Sequence, residues 1–161
     1  MKETTCCFSG HRKLPPEKRA EILENLERRV EMLIKDGFRR FMAGGALGFD
    51  TAAALTVLKL KEKFPQIELS LALPCPSQAS RWGESDQAVY EEIKKQADSV
   101  HYTSEKYGRG CMQIRNRYMV DHSSACICYL TENNGGTYYT VKYAASKNIA
   151  IHNLAECDIC P

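Results

Sequence analysis

The amino-acid sequence predicts an α/β fold: a doubly wound, mostly parallel sheet of about six strands with helices on both faces. Three observations predict it. Short apolar runs alternate with amphipathic segments of helical period along the whole chain. Nearly every helix start follows a polar or glycine-rich loop, while the turns after the helices are short and plain. The 161 residues contain no linker, repeat or low-complexity tract, so residues 1–161 read as one domain.

Residues 4–8 read as a short buried strand, and Ser9-Gly10-His11-Arg12-Lys13-Leu14-Pro15 as a polar loop. Pro16 suits a first helical turn, and Gly37 the position just past the last. Between them Ile22, Leu26, Val30, Leu33 and Ile34 recur at helical spacing, with charges on the other face. Residues 38–43 are a second strand, followed by the glycine loop Gly44-Gly45-Ala46-Leu47-Gly48-Phe49. Asp50 then caps a helix over residues 51–64, which is apolar nearly all round, Leu55 included, and is expected to be well buried.

Residues 67–73 are a third strand, and 74–83 a long loop holding Gln78 and Trp82. A helix over residues 84–97 carries Val89, Ile93 and Ala97 at spacing four. Residues 100–103 are a fourth strand. A helix over residues 111–122 and a strand over 125–130 follow. The loop Thr131-Glu132-Asn133-Asn134-Gly135-Gly136-Thr137 leads to a last helix ending near Lys147, and residues 149–152 supply a sixth strand.

Composition excludes several classes. Lys and Arg number 22 against 20 Asp and Glu, a net charge of +2, which argues against nucleic acid as a partner. No apolar run approaches the roughly 18 residues of a membrane span, and the N-terminus has no signal-peptide pattern, so no membrane contact and a cytoplasmic location are expected. Eight cysteines without a secretion signal read as reduced thiols. Cys6, Cys7, Cys126 and Cys128 lie in apolar strands, where a thiol acts as a small hydrophobe. Cys157-x-x-Cys160 has zinc-ligand spacing, with His152 upstream. A structural zinc site shows two such pairs, so no metal is expected.

The chemistry-bearing residues concentrate where strands pass into helices. In a parallel sheet those junctions share the carboxyl edge, where α/β proteins bind ligands. Ser9, Gly10, His11 and Arg12 come to that edge from the first strand, and Gly44, Gly45 and Asp50 from the second. Gln78 and Trp82 arrive from the third loop. Arg115 and Asn116 lie early in the fourth helix, and Gly135, Gly136 and Thr137 open the fifth. Two glycine loops at helix starts suit a phosphate, because amides can approach an anion and the helix dipole favours it. Arg115 and Arg117 meet the unfavourable end of a helix dipole, which a bound anion would relieve; an ion pair of Arg117 with Asp121 is the alternative. Asp50 has a helix cap or a ribose contact open to it, His11 a role as base or phosphate contact, and Trp82 stacking on a base or closing its loop against the core. Cys75 and Cys111 lie near helix starts, where thiols are acidified.

Four motifs together carry a family resemblance. Cys6-Cys7-Phe8-Ser9-Gly10-His11-Arg12, Gly44-Gly45-Ala46-Leu47-Gly48-Phe49-Asp50-Thr51, Gly110-Cys111-Met112-x-x-Arg115-Asn116-Arg117-Tyr118-Met119-Val120-Asp121, and Gly135-Gly136-Thr137 with Thr140 resemble the YpsA-like proteins of the SLOG superfamily. That superfamily also holds the LOG phosphoribohydrolases and the DNA-processing protein DprA. The resemblance spans residues 4–153. It implies a Rossmann-like fold and a pocket for a nucleotide or nucleotide-derived ligand, with no cofactor required. A binding or sensing protein is the leading expectation, with a homo-oligomer left open. A hydrolase of the N-glycosidic bond of a nucleotide or ADP-ribose-like substrate is the first alternative, and a DprA-like single-stranded DNA binder the second. LOG enzymes carry a carboxylate where this chain has Thr140. A hydroxyl cannot stabilise an oxocarbenium-like centre, so the resemblance implies little glycosidase activity unless Glu132 substitutes.

Overall fold

The structure, a computed structural model, describes residues 1–159, with side chains described through Glu156. Six strands, β1 (Thr5–Gly10), β2 (Arg40–Ala43), β3 (Glu68–Leu73), β4 (Ser99–Tyr102), β5 (Ala125–Tyr129) and β6 (Ala150–Asn153), form one sheet in the order β4-β3-β2-β1-β5-β6. Every neighbouring pair is parallel. The connections are the helices α1 (Arg19–Lys35), α2 (Phe49–Lys63), α3 (Glu84–Gln96), α4 (Cys111–Asp121) and α5 (Gly135–Ser146). This is the Rossmann-like, doubly wound α/β architecture that the alternation of strands and helices predicts.

The strands send alternate residues to opposite faces, which makes two cores. Cys6 and Phe8 of β1, Phe41 and Ala43 of β2, and Ala125 and Ile127 of β5 pack with Leu26 and Val30 of α1 and Phe49 and Val57 of α2. Cys7, Met42, Cys126 and Cys128 face the other way, against Met119 and Val120 of α4 and Ala144 of α5. The strand cysteines are thus buried free thiols, as their apolar setting predicts. Burial pushes the Cys6 thiol up. Hydrogen bonds with Cys128 and Cys7, together with burial, do the same for Cys126. The side chains of Cys157 and Cys160 lie outside the described residues. His152, upstream of that pair, lies 3.2 Å from Arg29 through Nδ1.

Four local expectations change. β1 runs on to Gly10 instead of ending at Phe8, because Ser9 and Gly10 pair with Cys128 and Tyr129 of β5. Asp50 lies inside the first turn of α2; the capping position belongs to Gly48, with φ +77°. Leu55 is 47% exposed, because α2 still meets solvent along one line between α1 and α3. Val89 is 40% exposed, and the buried stripe of α3 is Tyr90 and Ile93. β4 is one edge of the sheet, and all four of its residues are exposed. Among the described residues no helix is long and apolar enough to cross a membrane.

Candidate functional site

β1 lies in the middle of the sheet. From it the chain winds outward through β2, β3 and β4, then crosses back to β5 on the other side. Loops leaving β1 and β5 therefore diverge, and a crevice opens at the carboxyl edge between them. A cavity of about 300 Å³ occupies it. Ser9 and Gly10 line it from the end of β1, His11 and Arg12 from the loop that follows, Ala46 from the β2–α2 loop and Asp50 from the first turn of α2. Met112, Arg115 and Asn116 line it from α4, and Glu132, Asn134, Gly135, Gly136 and Thr137 from the loop that opens α5.

Close packing shapes the floor. A Cβ on Gly10 would lie 2.3 Å from Cγ of Phe49, so only glycine lets the end of β1 rest on the first turn of α2. A Cβ on Gly44 would meet Nη1 of Arg115 at 2.4 Å and Oδ2 of Asp50 at 2.9 Å. That space holds two buried side chains of opposite charge, which attract one another without sharing a hydrogen bond. Arg115 is 4% exposed and Asp50 5%. Arg115 donates from Nη1 to the Gly44 carbonyl, from Nε to Oδ1 of Asn116 at 2.8 Å, and points Nη2 at the Met112 sulfur. Asp50 Oδ2 accepts the Ala46 amide at 3.3 Å. Burial raises the Asp50 pKa, partly offset by the Arg115 charge and the Ala46 amide. Burial lowers that of Arg115, partly offset by Asp50. Arg115 thus fastens α4 to the β2–α2 loop while one side of it borders the cavity.

The opposite wall is an open helix end. Gly135 begins α5 with φ +92°, and Asn134 makes no side-chain cap, so the first amides of α5 are left for another acceptor. A Cβ on Gly136 would meet nothing within 4 Å. His11 ties the two walls together, accepting the Thr131 amide at Nε2 over 3.0 Å. In the neutral ring that puts the hydrogen on Nδ1. Asn153 of β6 holds the same loop, exchanging two hydrogen bonds with the Leu130 backbone at 3.1 and 3.0 Å.

The remaining sequence candidates lie elsewhere. Gly44 and Gly45 line no part of the cavity. They face protein, and a Cβ on Gly45 would sit 2.5 Å from Leu73, so the first glycine loop reaches the cavity through Ala46 and not through these two glycines. Gln78 is buried, donating to the Gly44 carbonyl at 3.3 Å and accepting from the Tyr90 hydroxyl at 3.2 Å. Trp82 stands edge-on to Tyr90, ring centres 5.2 Å apart, and lines a neighbouring cavity with Gln78, Arg12, Arg81, Tyr107 and Met112. Arg117 lies over the Tyr143 ring at 5.4 Å, and Asp121 accepts instead from the Tyr143 hydroxyl at 2.7 Å. Thr140 is buried and donates to the Gly136 carbonyl at 2.8 Å. Cys75 and Cys111 are buried and line none of these spaces. Sequence reading missed Ala46 and Asn134 as wall residues. The signal for Met112 was its place one helical turn before Asn116.

A family model described as the YspA SLOG family, named YpsA, matches residues 13–157. The chain belongs to the YpsA SLOG family. Two relatives are each 32% identical to it. One is the SPbeta prophage-derived protein YoqJ of Bacillus subtilis, over 71% of this chain and 74% of that protein. The other is a UPF0398 protein of Halalkalibacterium halodurans, over 73% of this chain and 65% of that one. Solved structures of DNA processing protein A share the fold of this YpsA-family chain. The Streptococcus pneumoniae protein gives a TM-score of 0.65 at 15% identity over 93% of this chain. The Helicobacter pylori protein, described for its unique single-stranded DNA binding mode, gives 0.66 at 18% over 93%. The chain spans 50% and 64% of those two proteins.

Proposed function

We propose that this YpsA-family chain is a cytoplasmic protein that binds or senses a nucleotide or nucleotide-derived ligand. The observation that carries the proposal is the cavity at the switch point, where the uncapped start of α5 and the Arg12 side chain face one space. Amides at a helix start and a guanidinium are complementary to phosphate. Asp50 and Glu132, the carboxylates of the lining, are suited to accept from ribose hydroxyls. The test is calorimetry with ADP and ATP on the natural protein and on Gly136→Val. The branched side chain enters open space, so the variant is expected to fold normally and to lose binding; unchanged affinity would refute the reading.

Single-stranded DNA is the second reading, favoured by the fold shared with the Helicobacter pylori protein. The near-neutral charge alone is therefore too weak a ground for setting nucleic acid aside. Oligodeoxythymidylate titrated under the same conditions separates the two, and DNA binding would fall steeply with salt. A hydrolase is disfavoured by Thr140, whose hydroxyl is bound within its own helix. Release of free base from AMP would reverse that order and put Glu132 forward as the reacting carboxylate.

A further inference from the structure

The switch-point cavity does not stand alone. Arg12 and Met112 border both it and a second cavity of about 380 Å³. Asn116 and Gly136 border both it and a third of about 430 Å³, between α4 and α5. Met112 and Asn116 are four residues apart on α4, on one face and about 6 Å along its axis. The three spaces therefore form a row along the first turns of α4, with the switch-point cavity in the middle.

Their chemistry alternates. The middle is the phosphate station: the start of α5, Arg12 and small polar side chains line it, together with the Asp50 and Glu132 carboxylates that suit ribose hydroxyls. Phe8 touches it only from beneath, being fully buried. Each outer space is a ring station with its own cations. One has Trp82 and Tyr107 beside Arg81. The other has Tyr139 and Tyr143 beside Arg117 and Lys142. Tyr107 is 69% exposed and Tyr139 59%, so neither ring is used by the core. Exposed aromatic rings next to cations are the usual stacking platform for bases.

We infer that the site takes a dinucleotide, two nucleosides joined through a phosphate bridge, with the bridge at the start of α5 and one base in each outer space. The inference rests on the nucleotide reading above and names its ligand class. A mononucleotide would leave one ring station empty, although both are built alike. A single strand of DNA repeats its phosphates at every step and commonly occupies roughly 4–16 nucleotides of a groove. Here Asn134 and Gly135, at the start of α5, line the middle space and neither outer one.

The experiment is calorimetry on the full chain with ADP, NAD, diadenosine tetraphosphate, and oligodeoxythymidylates of two and ten residues. At least one of the two bridged dinucleotides is expected to bind more than tenfold tighter than ADP. Tyr107→Ala and Tyr139→Ala, both at exposed positions, should each weaken that dinucleotide by roughly 5- to 100-fold, the usual effect of losing one stacking ring. ADP, with one base, should lose affinity in at most one of the two variants. If ADP binds as tightly as both dinucleotides, the inference fails and the nucleotide reading stands. If neither ADP nor a dinucleotide binds, both fail. If affinity rises from two to ten thymidylates and exceeds that of the dinucleotides, the row is a single-strand groove and the inference is wrong.

Discussion

Replacing Arg115 by Met keeps most of the side chain's volume and removes its charge. Asp50 then lies 5% exposed with the Ala46 amide and a more distant Arg12 charge as its remaining support. Removing the buried charged donor to the Gly44 carbonyl, and with it the main opposite charge near Asp50, costs about 1.5–3 kcal/mol. For a domain of this length that lowers Tm by about 3–12 °C. The sign of the pH dependence follows from Asp50. Its folded pKa already lies above the ordinary 3.8, because burial outweighs the pull of Arg115. Without Arg115 it rises further. Above that raised value the folded variant carries the full penalty of a buried carboxylate. As pH falls through the raised value toward 3.8, the folded state takes up a proton before the unfolded state does, and the deficit shrinks. Arg115→Met combined with Asp50→Asn should recover part of the loss near neutral pH, because an amide needs no counter-charge. Denaturant unfolding of the three proteins at pH 7.5 and 5 measures this. A deficit equal at both pH values, with no recovery in the double variant, would show that Arg115 acts only by bonding the Gly44 carbonyl.

Gly10→Ala drives a methyl group into Phe49 and should destabilise by about 1–3 kcal/mol in urea unfolding, with Phe49→Leu in the same chain restoring part of it. Gly45→Val, at φ +75° and against Leu73, should lower Tm before any ligand is added, which thermal melts by circular dichroism would detect. Burial pushes the Asp98 carboxyl up, but hydrogen bonds from Lys61 and from the Leu69 amide outweigh it and hold the pKa below its usual value. Its stabilisation is present above the unfolded value near 3.8 and lost as pH falls through the lower folded value. Asp98 is exposed and water screens its ion pair, so Asp98→Asn should cost only about 0.2–1 kcal/mol at neutral pH and nothing in strong acid, read from melts across that range. Arg12→Ala should weaken ADP by about 1.5–3 kcal/mol in calorimetry and leave Tm unchanged, since Arg12 is exposed.

Periodicity carried most of the fold. Short apolar runs such as Cys6-Cys7-Phe8 and Ala125-Cys126-Ile127-Cys128, bounded by turn residues, read as strands covered on both faces, and Ile22, Leu26 and Val30 as the core-facing stripe of a helix. Parallel strands joined by helices then place every strand-to-helix loop on one edge, so the sequence alone makes neighbours of Ser9, His11, Arg12, Asn116 and Gly135. Packing decided the rest, because it depends on residues far apart in the chain. Gly10 and Gly44 read as ligand contacts by type; Gly10 lines the cavity but is also held to glycine by Phe49, while Gly44 is held to glycine by the Arg115 and Asp50 side chains and lines no part of it. Gly45 and Gln78 were drawn into bracing the β2–α2 loop through Leu73, Tyr90 and the Gly44 carbonyl. Strand order, which local propensity does not encode, put the crevice between β1 and β5 and set an uncapped helix start and Arg12 around one space.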